Sequence, residues 1–103
     1  MTLDDAAANL EALGNPTRLA IFRTLVRAGL DGMPVGALQQ KLTVAPSTLS
    51  HHLHQLVAMN LVTQHRHGTT LICRAEFSAM AALVDYLSAE CCADAPLPAR
   101  RRK

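Results

Sequence analysis

From Pro16 to about Ala28 the apolar residues Leu19, Phe22, Leu25 and Val26 recur at the spacing of one helix face, while Arg18, Arg23 and Arg27 fall largely on other faces. This pattern predicts an amphipathic helix that buries those four residues. Asn15-Pro16 supplies its start, with Asn15 as N-cap and Pro16 as the first helical residue. Upstream, Leu3 to Leu13 predicts a first helix. Thr2 caps it, Asp4 and Asp5 oppose the positive end of its dipole, and Gly14 ends it. Downstream, GLDGMP reads as a loop by its two glycines and proline. A short third helix from Pro34 to Leu42 follows, then the tight turn TVAP. Pro46 starts a fourth helix that runs to Met59 with Leu49, Leu53, Leu56 and Val57 as its buried stripe. Asn60 tolerates the left-handed conformation that stops it. LVTQHRHGTTLICR holds two β-prone runs around His67-Gly68 and predicts a hairpin. A last helix spans about Glu76 to Ala93, with Phe77, Met80, Leu83, Val84 and Leu87 apolar.

Two short helices, a tight turn and then a hairpin is the element order of a winged helix-turn-helix. The expected class is therefore mainly α with a small β-hairpin. In that arrangement the third helix braces the fourth, whose outer face enters a major groove of DNA. One domain is expected over 1–94, carrying dimerisation helices at both ends, and the remainder, 95–103, is expected to be a disordered basic tail. A chain of 103 residues builds only a modest core, so association into a dimer would help it.

Charge changes the picture slightly. The net charge is +2, but residues 1–95 hold six Lys/Arg against eight acids, leaving −2, and ARRRK adds four positive charges. A DNA reader built this way depends on where its charges sit. The tail adds either nonspecific DNA affinity or solubility. No apolar run approaches the roughly 20 residues of a membrane span. MTLDDAAANL lacks a basic, apolar leader, so a cytoplasmic location is expected, where three cysteines would remain thiols. Enzyme signatures are missing: the chain has no Ser/His/acid order, carboxylate pair or Gly-rich phosphate loop in a suitable setting, and no C-x-x-C at a helix start.

The stretch PSTLSHHLHQL places His51, His52 and His54 within four residues, which suggests either a metal site or a polar reading face. Ser47, Ser50, His51 and His54 lie opposite the leucines, and Thr48 and Gln55 complete the candidate set. Hydroxyls, imidazoles and an amide can address base edges and phosphates. His51 and His52 point about 100° apart on a helix and do not easily share one ion, whereas His51 and His54 could. His52, beside the leucine stripe, is either a contact or a hydrogen-bonded structural residue. Lys41 and Arg18 are candidate phosphate contacts. Arg66, His65 and His67 flank the hairpin tip and can reach phosphate or the minor groove.

The chain resembles the ArsR/SmtB family of metal-responsive transcriptional repressors. ALGNPTRLAIFRTL at 12–25, VAPSTLSHHLHQL at 44–56 and NLVTQHRHG at 60–68 carry the resemblance, which covers most of residues 10–93. It implies a homodimer held by the first and last helices that binds duplex operator DNA and releases it on binding an inducer. On that footing the histidines of the fourth helix read DNA. The family's wing often has an arginine just after the glycine, where this chain has Thr69.

Both common sensing sites of the family are missing, because the third helix has no cysteine and the last helix no histidine. Cys91 and Cys92 in AECCAD resemble a branch with a C-terminal Cys-Cys pair that responds to As(III) or Sb(III), soft ions suited to thiolates. Cys73 stands where the family usually has tyrosine. It is roughly 25 Å from Cys91 in the same chain by helical rise, so it could join the pair as a third ligand only across a dimer with antiparallel last helices. The alternatives are a small buried Cys73 and a thiol pair that acts as a redox switch. No catalytic cofactor is expected.

Overall fold

The structure is a computed structural model that describes residues 1–96. The expected basic tail lies, from 97 onward, outside the described residues. The order is α1 (Leu3–Leu13), α2 (Pro16–Ala28), β1 (Met33–Pro34), α3 (Val35–Leu42), α4 (Pro46–Ala58), β2 (Val62–His67), β3 (Thr70–Ala75) and α5 (Phe77–Ser88).

The first two helices begin where their caps dictate. Thr2 accepts from the Asp5 amide at 3.0 Å while the Asp5 carboxylate accepts from the Thr2 amide at 3.2 Å, a reciprocal capping box. The Asn15 side chain accepts from the amides of Thr17 and Arg18, at 2.9 and 3.1 Å, ahead of Pro16. Asn60 ends α4 as expected, at φ 60°. Its amide donates to Val57 O at 2.9 Å and the Leu61 amide to Leu56 O at 3.0 Å, which satisfies the last carbonyls in a Schellman arrangement and drives Leu61 into the core.

The sheet is larger than the expected hairpin. β1 pairs antiparallel with β3, Met33 opposite Cys73, so the order is β1-β3-β2 and β3 is central. GLDGMP therefore ends in a short edge strand, where Pro34 is tolerated. β2 and β3 pair from Val62 with Ala75 to His67 with Thr70, around a two-residue tip containing Gly68 at φ 67°.

Ile21 and Leu25 of α2, Leu38 of α3, and Leu49, Leu53 and Leu56 of α4 close over Leu61, Val62 and Cys73 to form one core. Leu19 departs from expectation. It is 43% exposed, because Ile21, Phe22, Thr24 and Leu25 define the buried side of α2. The last helix also differs. α5 stops at Ser88, whose hydroxyl donates to the Val84 carbonyl at 2.9 Å, and turns follow in which Glu90 and Cys92 take φ of 62° and 64°. Leu83 is buried, whereas Val84 and Leu87 are 58% and 59% exposed.

Candidate nucleic-acid interface

α4 separates cleanly into two sides. Leu49, Leu53 and Leu56 are sealed in the core, while Ser47, Thr48, Ser50, His51, His54 and Gln55 are all exposed. The helical period produces this division: with α2 packed on the leucine side, the intervening polar residues face solvent together. α3 joins α4 through the turn that Thr43 opens at φ 50°, and Lys41 is exposed at the end of α3. Arg66 and His67 are exposed at the wing tip, and His65 is half-buried.

Ser50 and His54 also line a groove of about 380 Å³ with Gln39 of α3 and Gln64 of β2. Neither glutamine stands out in the sequence, because the groove exists only once β2 lies beside α4. The Gln64 amide donates to Cys73 Sγ at 3.5 Å, so this groove wall is tied to the core.

The three histidines do not converge. The rings of His51 and His52 have centroids 5.5 Å apart and are tilted by 59°. His52 is half-buried and turns toward α2, with Nδ1 3.4 Å from an Arg18 guanidinium nitrogen. Burial, Arg18 and His51, in that order, lower its pKa from the ordinary histidine value. Arg18 is not free to seek phosphate. Its Nε donates to the Ala12 carbonyl at 2.6 Å, which satisfies an acceptor at the C-terminal end of α1. Among the described residues no three His, Cys, Asp or Glu are grouped so as to hold a metal ion.

The cysteines occupy two environments. Cys73 is 0% exposed, at the centre of the sheet, and burial pushes its thiol pKa up while the Gln64 hydrogen bond pulls the other way. It faces the core of its own subunit, so it reaches no surface where thiols of a second copy could meet it. Cys91 and Cys92 are exposed and unbonded, with sulfurs 3.4 Å apart. That is well beyond a disulfide bond of about 2.05 Å. The hydrogen bond with Cys91 and the charge there push the Cys92 thiol up. Two adjacent, accessible soft donors suit As(III) or Sb(III), and a third thiol at this place is not supplied by Cys73.

Comparison with known proteins agrees with this architecture. Residues 13–65 match a family profile described as "Helix-turn-helix domain". The nodulation protein NolR of Rhizobium meliloti is 39% identical over 83 residues, 81% of this chain and 66% of that protein. The crystal structure of NolR from Sinorhizobium fredii superposes with a TM-score of 0.67 at 36% identity, covering 82% of each chain. A homodimeric winged helix-turn-helix DNA-binding domain from Mycobacterium bovis, described as a possible ArsR-family transcriptional regulator, gives a TM-score of 0.66 at 26% identity over 98% of this chain and 89% of that one. With a helix-turn-helix whose outer face is polar, a two-stranded wing and helices flanking both, the chain belongs to the ArsR family of winged helix-turn-helix regulators.

Proposed function

We propose that the protein is a homodimeric repressor that grips operator DNA with the outer face of α4 and releases it when As(III) or Sb(III) binds Cys91 and Cys92. The observation that carries this reading is the set of six polar side chains on α4, all exposed opposite three buried leucines. In a major groove the serines, Thr48 and Gln55 exchange hydrogen bonds with base edges, and His51 and His54 donate to or accept from bases and phosphates. Lys41, Arg66 and His67 flank that face and supply phosphate contacts that fix orientation without reading sequence.

Dimerisation is supported by unpartnered apolar residues. Leu10 of α1, Leu19 of α2, and Val84 and Leu87 of α5 are exposed, and a groove of about 370 Å³ between α2 and α5 is lined by Leu19, Phe22, Met80, Leu83 and Val84. Such a surface on so small a chain is costly in water at about 25 cal/mol per Å². A second copy covers it and presents two recognition helices to successive major grooves.

The thiol pair supports the inducer. A soft trivalent ion supplies Lewis acidity that binds two thiolates at once. The two thiols lose their protons, and the turns that carry them after Ser88 adjust at little cost because no packed element holds them. The ion shifts the dimer away from its DNA-gripping form only as far as it binds the released form better. Cytoplasmic conditions keep both thiols reduced and available. The 3.4 Å sulfur separation also favours a second reading, a redox switch. Hydrogen peroxide would take two electrons and two protons from the pair, leaving one S–S bond and two waters.

Gel-shift titration on the DNA upstream of the protein's own operon tests the proposal. Arsenite should reverse binding and Zn(II) should not, and a Cys91→Ser, Cys92→Ser protein should bind DNA yet ignore arsenite. Peroxide release that a dithiol reverses, without an arsenite response, would instead establish the redox reading.

A further inference from the structure

Arg18 touches three helices at once. It belongs to α2, its Nε donates to Ala12 O of α1 at 2.6 Å, and a terminal nitrogen lies 3.4 Å from Nδ1 of His52 on α4. A guanidinium only donates hydrogen bonds. Nδ1 of His52 must therefore accept, which fixes the ring as neutral with its proton on Nε2. A protonated His52 would place an N–H against the guanidinium and turn the contact into repulsion.

We infer that Arg18 and His52 are positioning residues: the Arg18 bridge holds the recognition helix α4 to the end of α1 only while His52 is uncharged, so acidification loosens α4 and weakens DNA binding. The inference rests on the reading of α4 as the DNA-contacting helix. It adds that His52, on the recognition helix yet half-buried, acts through helix placement instead of touching DNA. The link is spatially specific. α1 reaches the pair through the Ala12 carbonyl, α2 through Arg18, and α4 contributes His51 beside His52. Among the described residues no carboxylate contributes to the titration of His52, so nothing offsets the repulsion when it charges. The same three influences that favour the neutral ring keep the bridge intact at neutral pH.

The test has two readouts on the full chain. Long-range proton–nitrogen NMR of the histidine side chains should find His52 as the Nε2–H tautomer at pH 7.5, charging below the ordinary histidine value. Affinity for the upstream DNA, measured at pH 7.5 and pH 5, should fall for the wild type relative to His52→Gln, whose amide oxygen still accepts from Arg18. The relative loss is expected to reach several-fold and cannot exceed about tenfold per pH unit for one proton. Comparison with His52→Gln removes the pH effects of groups that both proteins share. Arg18→Lys should lose affinity at both pH values. An Nδ1–H tautomer, or an affinity ratio identical at the two pH values, overturns the inference. If no variant and no wild-type protein binds the DNA, the reading of α4 fails, and the tautomer alone decides whether the bridge exists.

Discussion

Gly32 packs against the carbonyl of Cys73 so closely that a Cβ there would overlap that oxygen and the Arg74 side chain. The contact follows from the pairing of β1 with β3, which sets Met33 opposite Cys73 and brings the preceding residue onto the central strand at φ 71°. Gly32→Ala therefore suffers backbone strain and a collision with main chain that cannot swing away. Gly29, at φ 80° with open space around it, suffers only the strain. Urea denaturation should show Gly32→Ala losing about 2–4 kcal/mol and Gly29→Ala about 1–2 kcal/mol. Equal losses would mean that β1 does not pair as described.

The two classes of cysteine differ in reactivity. Iodoacetamide at neutral pH should label Cys91 and Cys92 in the native protein and reach Cys73 only on unfolding, because Cys73 is both inaccessible and held protonated by burial. Mass spectrometry counts the labels. Rapid native labelling of Cys73 would reopen it as a metal ligand.

The exposed apolar residues of α5 bear on assembly. Light scattering should give twice the 11.1 kDa chain mass. Val84→Glu with Leu87→Glu should yield a single-chain mass with helical circular dichroism retained, since both residues are exposed in the monomer. A wild-type protein of single-chain mass would contradict the dimer.

His52 also makes stability depend on pH. In the unfolded chain it titrates near 6.5, and in the folded protein it titrates lower, so between the two values the unfolded state binds more protons. Its contribution to stability is complete above pH 6.5 and is lost as pH falls toward and through the folded value. Urea midpoints between pH 7.5 and 5 should decline more for the wild type than for His52→Gln. A parallel decline would remove His52 as the cause.

The sequence and the fold agree where local chemistry decides the outcome. Thr2, Asn15-Pro16 and Asn60 carry their signals within four residues, and α1, α2 and the end of α4 lie accordingly. The leucine stripe of α4 likewise dictated which side became the exposed polar face. What escaped depends on distant partners. β1 is two residues whose only reason to be a strand is β3. Leu19 fits the apolar stripe of α2 by spacing, yet the neighbours in one subunit leave it exposed. Alanine, serine and glutamate after Leu87 are all compatible with helix, so nothing local announced the stop at Ser88. Arg18 looks like any surface arginine until the fold brings Ala12 O and His52 beside it.

The central claim is that the exposed polar side of α4 reads a DNA sequence. Fluorescence anisotropy on the upstream DNA and on a scrambled duplex, at one fixed salt concentration, tests it most directly with the wild type and a Ser50→Ala, His54→Ala variant. The wild type should prefer the upstream DNA by about a thousandfold or more, and the variant should lose roughly 10- to 100-fold on that DNA alone. Equal affinity of the wild type for both duplexes, or a variant that binds the upstream DNA as tightly as the wild type, would contradict the claim.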